Sequence, residues 1–248
     1  MPELLFSSYS LGEAEKKRLN QDGHLLLPQC LTTCTRRKVI EALRHNLEIP
    51  AAGEHLPMRY AAEHDVYLAS VIAHPQMLEL ARAILGDEIR YDHCVNLSRK
   101  GGDRGQGWHT HPYASDRPDL GFIRIFFYVS GFQQGNGSLK VVPGSHLFRA
   151  DIRAESDEEL RASWLNGKTH PLTGEPLEII DLEVPEGSVI VMWTDALHAV
   201  TPRQSQSDTR WTMVTAYRNP GAPSQARWIR PKFENNPPPG AESIMPLY

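Results

Sequence analysis

Apolar residues recur at two different spacings along the chain, and the spacing changes near residue 90. From Leu11 to about Gly86 they mostly follow helical periodicity, as in Cys34–Leu47, where Val39, Ile40, Leu43 and Leu47 gather on one side. His24–Leu27 is a short apolar run stopped by Pro28 and predicts a strand. Pro75–Leu85 predicts a helix, with a proline in the first turn, where a missing N–H is harmless, and Gly86 as its stop. Residues 1–90 therefore read as a mostly helical buttress.

Beyond residue 90 the pattern is that of short strands cut by Gly and Pro: Tyr91–Ser98, Phe122–Val129, Ser138–Val142, Leu177–Leu182, Ser188–Trp193 and Thr209–Tyr217. Short strands separated by long loops predict a mainly β fold, a double-stranded β-helix (jelly roll, cupin-like), with the N-terminal helices packed on one sheet. The organisation expected is one domain over 1–248, with a β core at 91–219. An insertion at 150–176 carries a short helix within Ala154–Leu165, and a proline-rich tail at 220–248 reads as irregular.

Size and composition narrow the class. The 248 residues are 40% hydrophobic, enough for a real core. No apolar run approaches the roughly 20 residues that span a bilayer, so no membrane partner is expected. The start MPELLFSSYSLGEAEKK lacks a basic stretch leading into an apolar one, and the chain is expected to be cytoplasmic. Lys and Arg number 26 against 30 Asp and Glu, a formal charge of -4, which argues against nucleic acid. Cys30, Cys34 and Cys94 are too few for a disulfide framework and lack a second pair to complete a zinc site.

The chemistry lies in the β half. In GQGWHTHPY, His109 and His111 are two residues apart, so in an extended strand both rings share one face and can grip one metal. His198 follows the strand SVIVMW after a short TDAL turn, at a strand end that a jelly roll can return to that pair. Two neighbouring ligands plus one distant one leave open positions on an iron ion. An H-x-H pair is also compatible with two ordinary hydrogen-bonded rings. Twelve residues after His198, Arg210 shares a strand face with Thr212 and Val214, and an inward guanidinium asks for a carboxylate.

The segments LNQDGHLLLPQCLT, HPQMLELARAILGD, WHTH, GNGSLKVVPGSH, EGSVIVMWTDALH and TRWTMVTAYR, in this order, resemble the phytanoyl-CoA dioxygenase superfamily of Fe(II)- and 2-oxoglutarate-dependent oxygenases. The resemblance covers most of the chain, and GNGSLKVVPGSH is its most specific part. It implies Fe(II) as cofactor, 2-oxoglutarate as co-substrate, and O2 and a small-molecule substrate as partners. The implied reaction is hydroxylation with release of succinate and carbon dioxide. By the same resemblance His109, His111 and His198 are the metal positions, Arg210 the 2-oxoglutarate anchor, and Asn96 a further contact to the keto acid.

Position 111 departs from the family pattern, which has Asp or Glu there. Three neutral imidazoles leave a ferrous centre at +2 where a carboxylate would reduce it to +1. Asp116 or Asp119 is the alternative third ligand. Two other readings stay open: a three-histidine dioxygenase independent of 2-oxoglutarate, and a non-catalytic jelly roll that binds a metal or a small molecule. Of the remaining residues, His146 is expected to organise the turn before the insertion, and Trp108, Tyr113 and Trp193 to shape the interior. The loop SRKGGDRGQG, with Arg99, Lys100 and Arg104, is expected to form a lid.

Overall fold

Local sequence sets the helix boundaries of the N-terminal third. The computed structural model describes residues 3–51, 56–113, 119–222, 224 and 227–246. Helix α1 (Glu13–Asp22) opens with two acids in its first turn, favourable at the positive end of the helix dipole, and stops at Gly23, whose φ of 85° suits glycine. After strand β1 (His24–Leu27), the Thr32 side chain caps α2 (Thr33–Glu48). A 3-10 segment, Pro57–Glu63, leads to α3 (Val66–Ile72), where Asp65 accepts from the N–H groups of Tyr67 and Leu68. Helix α4 (Pro75–Leu85) ends at Gly86, as its sequence predicts.

The β half follows as β2 (Arg90–Asn96), β3 (Gln106–His109), β4 (Phe122–Tyr128), β5 (Leu139–Val141) and β6 (Arg153–Ala154), then the short helix α5 (Asp157–Ala162). Strands β7 (Ile180–Asp181), β8 (Ser188–Trp193), β9 (His198–Val200) and β10 (Thr212–Arg218) complete it, with α6 (Pro231–Asn235) in the tail. Two antiparallel five-stranded sheets result, in the orders β1-β8-β4-β10-β2 and β6-β3-β9-β5-β7. The mainly β, jelly-roll expectation is met, with the helices on one sheet.

Strand parity assigns each sheet face its partner. In β4, Ile123, Ile125 and Phe127 pack with Leu43, Leu68, Met77 and Leu80 of the helices, while Phe126 and Tyr128 face the second sheet. A strand sandwiched this way is buried along its whole length, and all seven residues of β4 are. Arg124 shares the inward parity of Phe126 and Tyr128, so β4 carries a guanidinium into the space between the sheets.

Several expectations need adjustment. The Leu177–Leu182 strand shrinks to Ile180–Asp181, and β3, β6 and β9, of two to four residues, lie where no separate strand was predicted. The tail is not uniformly irregular: besides α6, it places Ala241, Ile244 and Met245 in the core, and Tyr91 N–H donates to Ile244 O at 2.7 Å. No helix among the described residues is long and apolar enough to cross a membrane.

Candidate metal centre

Strand β3 ends at His109 and β9 begins at His198, and these two residues are Cα partners across the pair. The TDAL turn makes the encounter possible. It takes the chain from β8 in one sheet to β9 in the other, fixed by Ala196 N–H donating to Trp193 O at 3.0 Å. His111 lies just past β3, its N–H donating to Thr194 O of that turn at 3.0 Å. The ring centroids are 4.2 Å apart for His109 and His198, 4.7 Å for His109 and His111, and 5.2 Å for His111 and His198. One nitrogen from each ring falls within 4.8 Å of the other two, and among the described residues this is the one such group of potential metal ligands.

Hydrogen bonds fix the tautomers. His109 Nδ1 donates to Gly107 O at 2.9 Å and His198 Nδ1 donates to Ala196 O at 2.8 Å, so each presents its Nε2 lone pair. The Gln106 amide nitrogen lies 3.2 Å from His109 Nε2 and donates to it. Arg124 Nη1 donates to His111 Nε2 at 2.6 Å, which leaves His111 Nδ1 to donate to Tyr113 Oη at 3.0 Å. The Tyr113 ring stacks on His111, with centroids 5.1 Å apart.

Burial keeps the imidazoles neutral. It pulls His109 down to about 4, the bond to Gly107 opposing the shift. His198 lies well below its ordinary value through burial and the neighbouring His109, and His111 through burial and the charge of Arg124. Neutral imidazoles are the protonation state a metal needs, and of the three only His111 has its Nε2 lone pair facing a cation, Arg124.

A cavity of about 280 Å³, with the exposed Met58 and Arg59 among its lining residues, joins this cluster to Arg210. Arg210 is 3% exposed; its guanidinium sits 5.5 Å from the Tyr128 ring and donates to Gly137 O. Burial lowers it to about 10, which still leaves it charged at neutral pH. The GNG turn that holds it is itself braced, since Gly137 has φ 71° and Asn136 Oδ1 accepts from Gln204 N–H and Ser207 Oγ. An open groove of about 1320 Å³ lies on the other side of Arg210, beside Gly131, Arg203 and Trp211, and contains none of the three histidines.

The other predicted residues divide. Asn96 lines the cavity, but its Nδ2 donates to Leu43 O at 2.9 Å and its Oδ1 accepts from Ser98 N–H at 3.0 Å, a use within the fold. Asp119 is exposed and borders a different hollow, with Trp193 and Asp195; Asp116 lies outside the described residues. His146 packs under Gly23 and donates to Asn20 O at 3.0 Å, so its ring ties the turn to the end of α1 rather than bonding within the turn. Trp108 donates to Asp157 and Tyr113 contacts His111. The expected lid is tied down: Gly102 N–H donates to Gln204 O, Arg203 N–H to Asp103 O, and Arg99 pairs with Asp103 at 2.7 Å. Cys30 and Cys94 are buried thiols, pushed up to about 11 and 12 by that burial.

Arg124 is the site residue that sequence reasoning missed. Its signal was a lone cation in the otherwise apolar run FIRIFFY, at the parity of Phe126 and Tyr128.

Residues 19–211 match the family of phytanoyl-CoA dioxygenase (PhyH). No curated protein matches the chain. Among solved structures, SnoN, a non-haem alpha-ketoglutarate-dependent epimerase from nogalamycin biosynthesis, is similar with a TM-score of 0.62 at 15% identity, over 84% of this chain and 82% of its own. SnoK, a non-haem alpha-ketoglutarate-dependent carbocyclase from the same biosynthesis, gives 0.63 at 15%, over 84% of both chains. HygX from Streptomyces hygroscopicus, solved with nickel, 2-oxoglutarate and hygromycin B bound, gives 0.59 at 16%, over 84% of this chain and 87% of its own. At such identities the likeness is one of fold.

Proposed function

The chain belongs to the phytanoyl-CoA dioxygenase family, and from that premise we propose that it is a non-haem Fe(II)- and 2-oxoglutarate-dependent dioxygenase that hydroxylates a small organic substrate. The observation that carries the reading is a single cavity lined by three converging imidazoles and by an inward guanidinium with no ion-pair partner among the described residues. The donor set fits a first-row divalent metal: three neutral nitrogens, two of them oriented by main-chain carbonyls. His109, His111 and His198 would hold the ion, and Arg210 the far carboxylate of the keto acid.

When bound, iron and 2-oxoglutarate together supply the oxidising chemistry, in which O2 is consumed and the keto acid leaves as succinate and carbon dioxide. The chain's own part is placement and shielding. Arg210, fixed by Gly137 and flanked by Tyr128 and Phe132, offers a rigid fork that sets the direction of a bound dicarboxylate. Val95, Leu139, Val200 and Val214 give the cavity an apolar wall that disfavours water beside the bound substrate. His109 and His198 keep their orientation through Gly107 and Ala196, so little reorganisation is needed at the metal positions. SnoN and SnoK, described as an epimerase and a carbocyclase, share the fold, so the outcome at the substrate carbon depends on how this cavity places it.

The absence of any Asp or Glu from the cavity lining, among the described residues, supports a second reading, a three-histidine dioxygenase whose acidic substrate chelates the metal without a keto acid. One experiment separates the two. Anaerobic addition of Fe(II) and 2-oxoglutarate should give a visible absorption band, and air should then yield succinate. Arg210→Ala should abolish both. Iron binding with neither band nor succinate would exclude the keto-acid reading and leave the second.

A further inference from the structure

The charge in this cavity does not balance under the proposed reading. Its lining contains Arg124 and Arg210, both without an ion-pair partner among the described residues, and no Asp or Glu. A divalent metal held by neutral imidazoles would bring the buried charge to +4, and a bound keto acid contributes only -2. Two other cavity arginines are accounted for: Arg99 pairs with Asp103, and Arg59 is exposed and lies over Trp228. Burying uncompensated charge is costly enough that a counter-ion is expected.

Arg124 is where that counter-ion is missing. It is 6% exposed, and each of its hydrogen-bond partners among the described residues is a neutral group: His111 Nε2 at 2.6 Å, Tyr113 Oη at 3.4 Å and His93 Nε2 at 3.5 Å. Its Nε is buried with no hydrogen-bond partner. Asp92 attracts it at longer range but makes no hydrogen bond or ion pair with it, being held instead by His93, whose Nδ1 is 2.8 Å from Asp92 Oδ1. The same carboxylate also accepts from Ser224 at 2.9 Å and lies 3.9 Å from Arg218. The guanidinium therefore spends its strongest contact on the lone pair of an imidazole that the metal also requires.

We propose that Arg124 is the recognition point for an acidic group on the substrate, so that the substrate is a small carboxylic acid seated with its carboxylate against Arg124 and Tyr113 Oη, beside the three imidazoles. This rests on the proposed function for the meaning of "substrate", but not for the anion site itself. A guanidinium fork matches a carboxylate in two parallel hydrogen bonds, and the Tyr113 hydroxyl, whose oxygen accepts from His111 and Arg124, keeps its own O–H as a third donor. Drawing Nη1 toward the anion also frees His111 Nε2 for the metal. The carboxylate that the protein does not place at position 111 is thus supplied by the ligand.

The test uses the purified full chain without metal, followed by thermal shift and calorimetry with benzoate, inorganic phosphate and 2-oxoglutarate. Benzoate is expected to bind saturably, and additively with 2-oxoglutarate. Arg124→Gln should weaken benzoate by at least about tenfold, the scale of one lost charge-assisted contact, and leave 2-oxoglutarate within about threefold. Arg124→Lys should restore part of the benzoate affinity, and Tyr113→Phe should reduce it; both keep the proposal testable if Arg124→Gln does not fold. Arg210→Ala should show the opposite selectivity. If the Fe(II)-loaded protein gives neither band nor succinate with 2-oxoglutarate while benzoate follows Arg124, the proposed function falls and the anion site stands. The anion site is overturned if benzoate does not bind the wild type up to about 50 mM, a free energy too small for a built site. It is also overturned if Arg124→Gln leaves benzoate unaffected, if 2-oxoglutarate displaces benzoate, or if phosphate alone binds.

Discussion

His109 and His198, separated by most of the β half in sequence, are Cα partners on the antiparallel pair β3–β9, with ring centroids 4.2 Å apart. The main-chain ladder between two strands therefore sets the spacing of these two rings, and each ring is held again by a carbonyl two residues before it. His111 is positioned differently, beyond the strand end and against Arg124 and Tyr113. The pair is preformed, while the third imidazole is shared with a cation.

Acid should unfold the metal-free protein early. His109 and His146 are lowered to about 4 by burial, and His111 and His198 lie well below their usual value. In the unfolded chain each would protonate near 6.5, so between about 6.5 and 4 the unfolded state binds more protons and stability falls as pH falls. Each such histidine contributes a slope of up to about 1.4 kcal/mol per pH unit. Asp195, raised to about 6 by burial, works in the opposite direction, but it is one group against five, since burial lowers His24 as well. Denaturant midpoints measured from pH 7 to pH 4.5 should drop steadily, and His146→Gln should flatten part of the slope. A midpoint independent of pH over this range would contradict the burial of neutral imidazoles.

Gly23 closes α1 with φ 85°, and a Cβ there would stand 2.5 Å from Nδ1 of His146. Gly23→Ala combines a strained backbone with a clash against a buried ring, and should cost about 1–3 kcal/mol in chemical or thermal unfolding. In a His146→Ala background the clash disappears and only the backbone cost remains, so the same substitution should cost measurably less. Equal costs in both backgrounds would show that the ring moves aside freely.

The helices, the long strands and the three histidines were legible because each rests on local information. Pro75 and Gly86 bracket a helix, and the inward parity of Arg210, Thr212 and Val214 needs only alternation. What was not legible depends on tertiary pairing. Strands β3, β6 and β9 are too short to show a period and exist because the second sheet offers them neighbours. The glycine-rich loop at 99–105 looks free in sequence, yet it is tied to residues 203 and 204 about a hundred positions later. The core role of Ile244 and Met245 follows from a docking site that only the folded helices and β2 create. Arg124 could have been flagged by its parity, but its contact with His111 required knowing that β4 passes beneath the turn carrying that imidazole.

The most direct test of the metal centre is a crystal structure of the protein loaded with Co(II) in place of Fe(II), in the presence of 2-oxoglutarate, with the metal located by its anomalous scattering. The expected result is one ion bonded at about 2.0–2.2 Å to Nε2 of His109, His111 and His198, with Arg124 turned away from His111 and Arg210 on the far carboxylate of the keto acid. An ion held by His109 and His198 together with Asp116 or Asp119, while His111 keeps its bond to Arg124, would contradict the three-imidazole centre, as would no ion between β3 and β9.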